Sequence, residues 1–339
     1  MGSVCATWVT NFQSIPTMAS KSPRGRRAAA HGGAEIPRRP FGPSGELVSA
    51  LALGGYHLGL VGSKREAVRI VHAAIDAGIT FMDNAWEYHE GESEEIMGKA
   101  LADRRDDVFL MTKVCTHGRD RKVAMRQLTQ SLRRLRTDHL DLWQVHECVY
   151  PNDPERHFAA GGVIEALAEA KERGLVRYVG FTGHKLPVIH LAMMAYGFPF
   201  DAVQMPLNCF DASFRSFEAT VLPEARRRGL AVLGMKSMGG EGDAIRKRVV
   251  TAEEALSYAM SLPVTTTVSG IDSMRVLRQN ARIARGLVPL GEDAMQELRA
   301  RVAEFAGDGR FELYKSTAKH EGDVGRKQHG FPLQEEVAA

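Results

Sequence analysis

Four side chains able to move or hold a proton lie at separated points of the chain: Asp83, Tyr88, Lys113 and His146. A free phenol, with a pKa of about 10, is a poor acid at neutral pH. An ammonium beside it favours the phenolate and lowers that pKa, while a carboxylate beside the ammonium holds the charge in place. Tyr88, Lys113 and Asp83 can form that relay. His146 can donate a hydrogen bond to a carbonyl, orienting it and stabilising the charge that develops on its oxygen. The set suits protonation of a carbonyl oxygen while hydride reaches the carbon. None of the four can supply the hydride, so the chemistry calls for a nicotinamide cofactor nearby. Taken singly, each has a plainer role: Asp83 a cap, Tyr88 a loop aromatic, Lys113 a solvated charge, His146 a histidine bonded to a backbone carbonyl. The chemistry therefore requires a scaffold that brings all four together.

The surrounding pattern predicts one. Short, mostly apolar runs rich in β-branched residues predict strands at Val48–Gly54, Thr80–Asp83, Val108–Lys113, Leu140–His146, Tyr178–Thr182, Ala202–Met205, Ala231–Met235 and Thr265–Ser269. Helical patterns alternate with them. In REAVRIVHAAIDAG, residues Ala67, Ile70, Val71, Ala74 and Ile75 make one stripe and Gly78 supplies the stop. Eight such strand–helix units over roughly 240 residues have the size of a (β/α)8 TIM barrel. A doubly wound sheet would carry G-x-G-x-x-G after its first strand, and GGYHLGL lacks that spacing. In a barrel, chemistry sits in the loops after the strand C-termini. Asp83 and Tyr88 follow the second strand, Lys113 ends the third and His146 the fourth, so the four converge on one mouth.

Composition excludes several other classes. The chain has 339 residues, 44% hydrophobic and 25% charged, as expected of a globular protein. Its net charge of +3 arises before residue 40, where Lys21, Arg24, Arg26, Arg27, Arg38 and Arg39 face only Glu35. The remainder is slightly acidic, which excludes a nucleic-acid partner as the meaning of the pI of 8.6. Residues 1–37 read as a flexible basic leader, with Met18 an alternative start. They lack the apolar stretch of an export signal. No run approaches the roughly 18 apolar residues of a membrane span. Cys5, Cys115, Cys148 and Cys209 show no C-x-x-C pair, which fits a reduced, cytoplasmic protein. His117, His139 and His184 lack partners at metal-ligand spacing, so no metal is expected. Arg133, Arg134 and Arg136 read as a solvated helix face. Oligomeric state is not set by any of these features.

The segments MDNAWEYHEGESEEIMGKAL, FLMTKV, LDLWQVHE, VRYVGFTG, VQMPLN and SGIDSMRVLRQN, in this order and spacing, resemble those of the aldo-keto reductase superfamily. The resemblance covers residues 38–286 and leaves 287–339 as a C-terminal extension. It implies an NAD(P)H-dependent carbonyl reductase on a (β/α)8 barrel, with Asp83, Tyr88, Lys113 and His146 as the catalytic tetrad and Tyr88 as general acid. It further implies cofactor contacts from Thr182, Gln204, Met235, Ser269, Gly270, Asp272 and Asn280. Two departures stand out. Thr182-Gly183 replaces the Ser-Asn that holds the carboxamide in relatives, and Met235 stands where an aromatic residue often stacks on the ring. Around the helix that would meet the cofactor phosphates, relatives carry Arg or Lys where this chain has Gly270, Asp272 and Val276. A carboxylate repels a 2′-phosphate and accepts from ribose hydroxyls, which leans towards NAD, although Arg275 and Arg278 are near enough to compensate. Trp86 and His184 lie in loops that line the substrate mouth. In relatives the C-terminal segment folds over that mouth. Here it is charged and carries Phe311, Tyr314 and Phe331, implying a polar, sugar-like small-molecule carbonyl as substrate. Two alternatives stay open: a cofactor-sensing regulatory subunit with little turnover, and NAD-dependent oxidation of a sugar hydroxyl.

Overall fold

The computed structural model describes residues 34–115, 119–317, 321, 323–328 and 332–336. Most of the expected leader, together with His117 and Phe331, lies outside the described residues. Two short strands, β1 (Arg38–Pro40) and β2 (Leu47–Ser49), pair antiparallel as a hairpin. Eight more follow: β3 (Leu51–Gly54), β4 (Phe81–Asp83), β5 (Phe109–Val114), β6 (Leu140–Val145), β7 (Val176–Thr182), β8 (Ala202–Pro206), β9 (Ala231–Met235) and β10 (Thr266–Gly270). These eight close into a barrel in chain order, with β10 returning to β3 and every neighbouring pair parallel. Helices separate successive strands, so the expected (β/α)8 barrel is what forms.

The first expected strand, Val48–Gly54, is in fact two. Ser49 donates from its hydroxyl to the Leu51 carbonyl at 2.7 Å and accepts from the Thr80 amide at 2.9 Å, so its side chain takes over backbone partners where the chain turns. The hairpin therefore ends at Ser49 and the barrel begins at Leu51.

Strand periodicity decides what fills the interior, because alternate side chains point to the same face. Phe81, Phe109, Met111, Leu142, Ala202, Ala231 and Leu233 are buried together with Phe41 in one cluster. Phe41 comes from the segment after β1, and its ring centroid lies 4.7 Å from Phe109 and 4.8 Å from Tyr178. Burying each such aromatic is worth about 2–3 kcal/mol. Two residues further along the same strands come Asp83, Lys113, Gln204 and Met235. The phase that packs the apolar layers thus aims these four at the C-terminal end.

Outside, helix Lys64–Asp76 buries Ala67, Ile70, Val71, Ala74 and Ile75, the stripe its spacing predicts, with Ser63 capping it through the Glu66 amide. Gly78 follows at φ 94°, a backbone conformation that costs a residue with a Cβ. None of the described helices is long and apolar enough to cross a membrane. After helix Glu292–Ala306 the chain turns back over the loops that follow β8 and β9. Lys315, fully buried, pairs with Asp211 at 2.6 Å and Glu312 at 2.9 Å, while Asn208 donates to Glu312 and to the Tyr314 hydroxyl. Phe311 and Tyr314 are buried by the same arrangement.

Candidate active site

Asp83 ends β4 and Lys113 lies one turn of the pleat inside the end of β5; both are buried, with side chains 3% and 1% exposed. The Lys113 ammonium donates to Asp83 Oδ1 and, at 2.8 Å, to the carbonyl of Asn84. Its Nζ lies 3.4 Å from the Tyr88 hydroxyl and 5.0 Å from the ring centre. The other Asp83 oxygen accepts from Gln204 Nε2 on β8 at 2.7 Å. Tyr88 reaches this group on a turn in which His89 and Glu90 both adopt left-handed backbone angles. Local ties hold that strained turn: Ser93 donates to the Gly55 carbonyl at 2.6 Å, and the Tyr56 ring meets Tyr88 edge-on at 5.4 Å.

One electrostatic expectation is reversed. The phenol of Tyr88 is pushed well above its ordinary range, first by burial and then by the carboxylates of Asp83, Glu147 and Glu87. The Lys113 charge is largely met by Asp83, so the phenol keeps its proton. That is the form a general acid needs.

His146 follows β6 and its ring meets Tyr88 edge-on at 5.6 Å. Its Nδ1 lies 2.5 Å from Glu87 Oε1, and the Cys115 thiol donates to Glu87 Oε2 at 2.7 Å. Glu147, next in the chain and at φ 51°, brings a second carboxylate. The ligand atoms of Glu87, His146 and Glu147 lie within 4.8 Å of one another, a grouping able to hold a cation that sequence spacing does not reveal. Opposite stands Lys236, directly after β9 at φ 56°, with Nζ 4.8 Å over the Tyr314 ring. Burial lowers its pKa while Glu147 raises it. Glu87, Cys115, Glu147 and Lys236 were all missed from the sequence. The first and third are immediate neighbours of Tyr88 and His146, which was the available signal.

The proposed cofactor residues fall on adjacent strand ends. Thr182 ends β7, Gln204 is in β8, Met235 ends β9, and Ser269 and Gly270 end β10. A Cβ on Gly183 would sit 2.3 Å from the Cys148 carbonyl, so the Asn that relatives carry there has no room. Asn280 is fully buried and donates to Ser269 Oγ at 3.0 Å. The side-chain oxygens of Gln204 and Asn280 are buried without a hydrogen-bond partner, a cost of about 1–3 kcal/mol each that an N–H donor would relieve. A Cβ on Gly270 would meet the His57 ring at 2.3 Å. Ser273 caps helix Met274–Arg285 through the Val276 amide, and Asp272 beside it is exposed, as are Arg275 and Arg278. These positions fit a dinucleotide laid across the strand ends with phosphate at that helix.

The two proposed substrate residues part company. His184 is buried and meets Tyr314 of the C-terminal segment edge-on, with ring centres 6.0 Å apart. Trp86 turns towards helix Arg121–Leu135, its indole N–H donating to Gln130 at 2.8 Å and Arg134 lying over its ring. Arg134 also donates to the Trp86 carbonyl and to the buried Glu94. It therefore leaves the solvated face expected of it, while Arg133 and Arg136 remain exposed.

A closed parallel barrel whose reactive side chains gather at the C-terminal rim belongs to the (β/α)8 class. The model of the Aldo/keto reductase family matches residues 50–248, and the chain belongs to that family. Among curated relatives it is 30% identical to the aldo-keto reductase YhdN of Bacillus subtilis over 54% of each chain. It is 28% identical to the 6-dehydroglucose reductase of Novosphingobium aromaticivorans, over 73% of this chain and 88% of that one. The chain spans about half the length of several curated relatives it matches, YhdN included. An aldo-keto reductase from Klebsiella pneumoniae, solved in complex with NADPH, shares the fold at a TM-score of 0.66 and 22% identity, covering 78% of this chain and 95% of that one.

Proposed function

We propose that this chain is an NAD(P)H-dependent reductase of a polar, hydroxylated aldehyde or ketone. The observation that carries the reading is Lys113 Nζ bridging Asp83 and the Tyr88 hydroxyl beneath the barrel mouth. A reduced nicotinamide supplies, when bound, the hydride that ends on the carbonyl carbon. Tyr88 gives its proton to the carbonyl oxygen. Lys113, held by Asp83, stabilises the phenolate left behind, and His146 orients the carbonyl from the other side.

Gln204 and Thr182 would hold the carboxamide, Met235 would pack on the ring, and Ser269, Gly270 and Asn280 would take the adenosine end. Asp272 favours NAD by accepting from ribose hydroxyls and repelling a 2′-phosphate. A mouth carrying Glu147, Lys236 and His184 suits a hydroxylated substrate, and the similarity to a protein named 6-dehydroglucose reductase points the same way. Cys115, Cys148 and Cys209 carry thiols rather than disulfides, which supports a cytoplasmic setting. The leader and the C-terminal extension belong to this proposal as parts outside the catalytic barrel.

The test combines fluorescence titration with NADH and NADPH and a panel of carbonyl substrates. Tyr88→Phe should abolish reduction while leaving cofactor affinity unchanged. Wild-type turnover by that variant on a confirmed substrate would overturn the assignment.

A further inference from the structure

We propose that Lys236 selects the substrate of this site, and that the carbonyl compound it selects carries an anionic group, a carboxylate or a phosphate, beside its hydroxyls. The proposal rests on the reading of the site as a carbonyl reductase and narrows the class of its substrate. Lys236 follows β9 directly, next to Met235, and its backbone is held from two sides. Its carbonyl accepts from the Gly239 amide at 2.9 Å and from Asn208 Nδ2 at 3.3 Å. The same Asn208 nitrogen donates to the Tyr314 hydroxyl at 3.0 Å, so one side chain ties the lysine to the aromatic ring beneath it. Positive φ angles at Lys236, Gly239 and Gly240 turn the loop onto that ring, and a Cβ on Gly240 would meet Tyr314 Cδ1 at 3.2 Å. These ties fix where the ammonium stands, 4.8 Å over the centre of the Tyr314 ring.

The charge on Lys236 is not balanced as its neighbours' charges are. Lys113 is met by Asp83, and Lys315 by Asp211 and Glu312. Lys236 is half-buried, yet among the described residues its ammonium makes neither an ion pair nor a hydrogen bond. An ammonium has three donors to satisfy, and an aromatic face offsets only about 0.5–2 kcal/mol of what burial costs it. An anionic oxygen is the acceptor that compensates most, because charge-assisted hydrogen bonds are about twice as strong as neutral ones. The charged groups acting most on this ammonium are Glu147 and Lys113, which border the tetrad. It therefore faces the space beside the reacting carbonyl, and Tyr314 belongs to the segment that covers that space. Glu147 accepts from hydroxyls and repels an anion, which directs the anionic group to the lysine. One substrate can use all three contacts: carbonyl to Tyr88 and His146, hydroxyl to Glu147, anionic oxygen to Lys236.

The experiment uses the full chain loaded with its preferred cofactor and compares wild type, Lys236→Met, Lys236→Arg and Tyr88→Phe. Two pairs of carbonyl compounds differ in charge at similar size: glyoxylate against glycolaldehyde, and glyceraldehyde 3-phosphate against glyceraldehyde. Wild type should prefer the anionic member in kcat/KM, and Lys236→Met should shrink that preference by about 10- to 10²-fold, the worth of one charged hydrogen bond. Lys236→Arg should keep most of it. Calorimetric titration of inorganic phosphate into the cofactor-loaded chain reads the same contact without turnover, and Lys236→Met should weaken it about tenfold or more. Cofactor affinity, read by nicotinamide fluorescence, should stay unchanged. Equal preference for charged and neutral members in wild type would overturn the proposal, as would equal losses on both in Lys236→Met. A phosphate affinity unaltered by Lys236→Met would also overturn it. A weakened cofactor with the substrate preference intact would do so too, assigning the lysine to the cofactor's own phosphates. Failure of the reductase reading is distinct: it shows as an active Tyr88→Phe, and the phosphate titration still judges the lysine.

Discussion

Lys113 shows how one buried charge can serve both stability and chemistry. Its ammonium is surrounded by Asp83, the Asn84 carbonyl and the Tyr88 hydroxyl, and its side chain is 1% exposed. Replacing it by Met leaves Asp83 as a buried carboxylate without its cation, a loss of about 3–5 kcal/mol. Lys113→Met should therefore melt well below wild type and lose turnover, whereas Tyr88→Phe should lose turnover with little change in melting. Thermal denaturation beside an activity assay checks both. The residue types of the tetrad were legible in the sequence because the strand period put Asp83 two places after Phe81 and Lys113 two after Met111. The protonated state of Tyr88 was not legible, since it depends first on burial and then on Asp83, with Glu147 adding to it from the loop after β6.

At the scale of elements, close approach between loops sets tolerances. A Cβ on Gly55, directly after β3, would stand 2.6 Å from the Asp83 carbonyl and 2.8 Å from Asn84 Cγ. Gly55→Ala should push the end of β4 away from Lys113. Because displacement of reacting groups by about 1 Å can cost 10²-fold in rate, kcat should fall by that order while circular dichroism stays unchanged. Helix Pro187–Ala195 packs through His190, whose ring sits against Phe181 and Phe217 and contacts the Gln204 carbonyl at 3.2 Å. Burial pushes this imidazole down to about 4. An unfolded histidine protonates near the ordinary value, 6.5 in this case, so the stabilisation is complete above pH 6.5 and is lost as pH falls towards 4. The loss is on the order of 3 kcal/mol. Urea midpoints should drop over that window in wild type and less steeply in His190→Gln.

Across the whole molecule, the C-terminal segment is fastened by charge rather than by apolar area alone. Lys315 is the cation that Asp211 and Glu312 share in the interior. Lys315→Met should cost about 3–5 kcal/mol by leaving two buried carboxylates unbalanced. It should also raise hydrogen exchange over residues 311–317, and substrate preference should broaden as the segment loosens. Exchange protection equal to wild type would count against this fastening. The sequence by itself determined the barrel: eight apolar runs with amphipathic helices between them have few other ways to bury both sheet faces. It also determined which strand ends carry Asp83, Lys113, His146 and Gln204, because side-chain alternation is a local property that survives without any tertiary contact. Only the tertiary structure decided the pairings across loops: Glu87 with His146, Arg134 with Trp86 and Glu94, and Lys315 with Asp211. Those partners lie far apart along the chain, and their bonds depend on distances that closing the barrel sets. Charge and proton placement, unlike strand phase, are properties of neighbours in space.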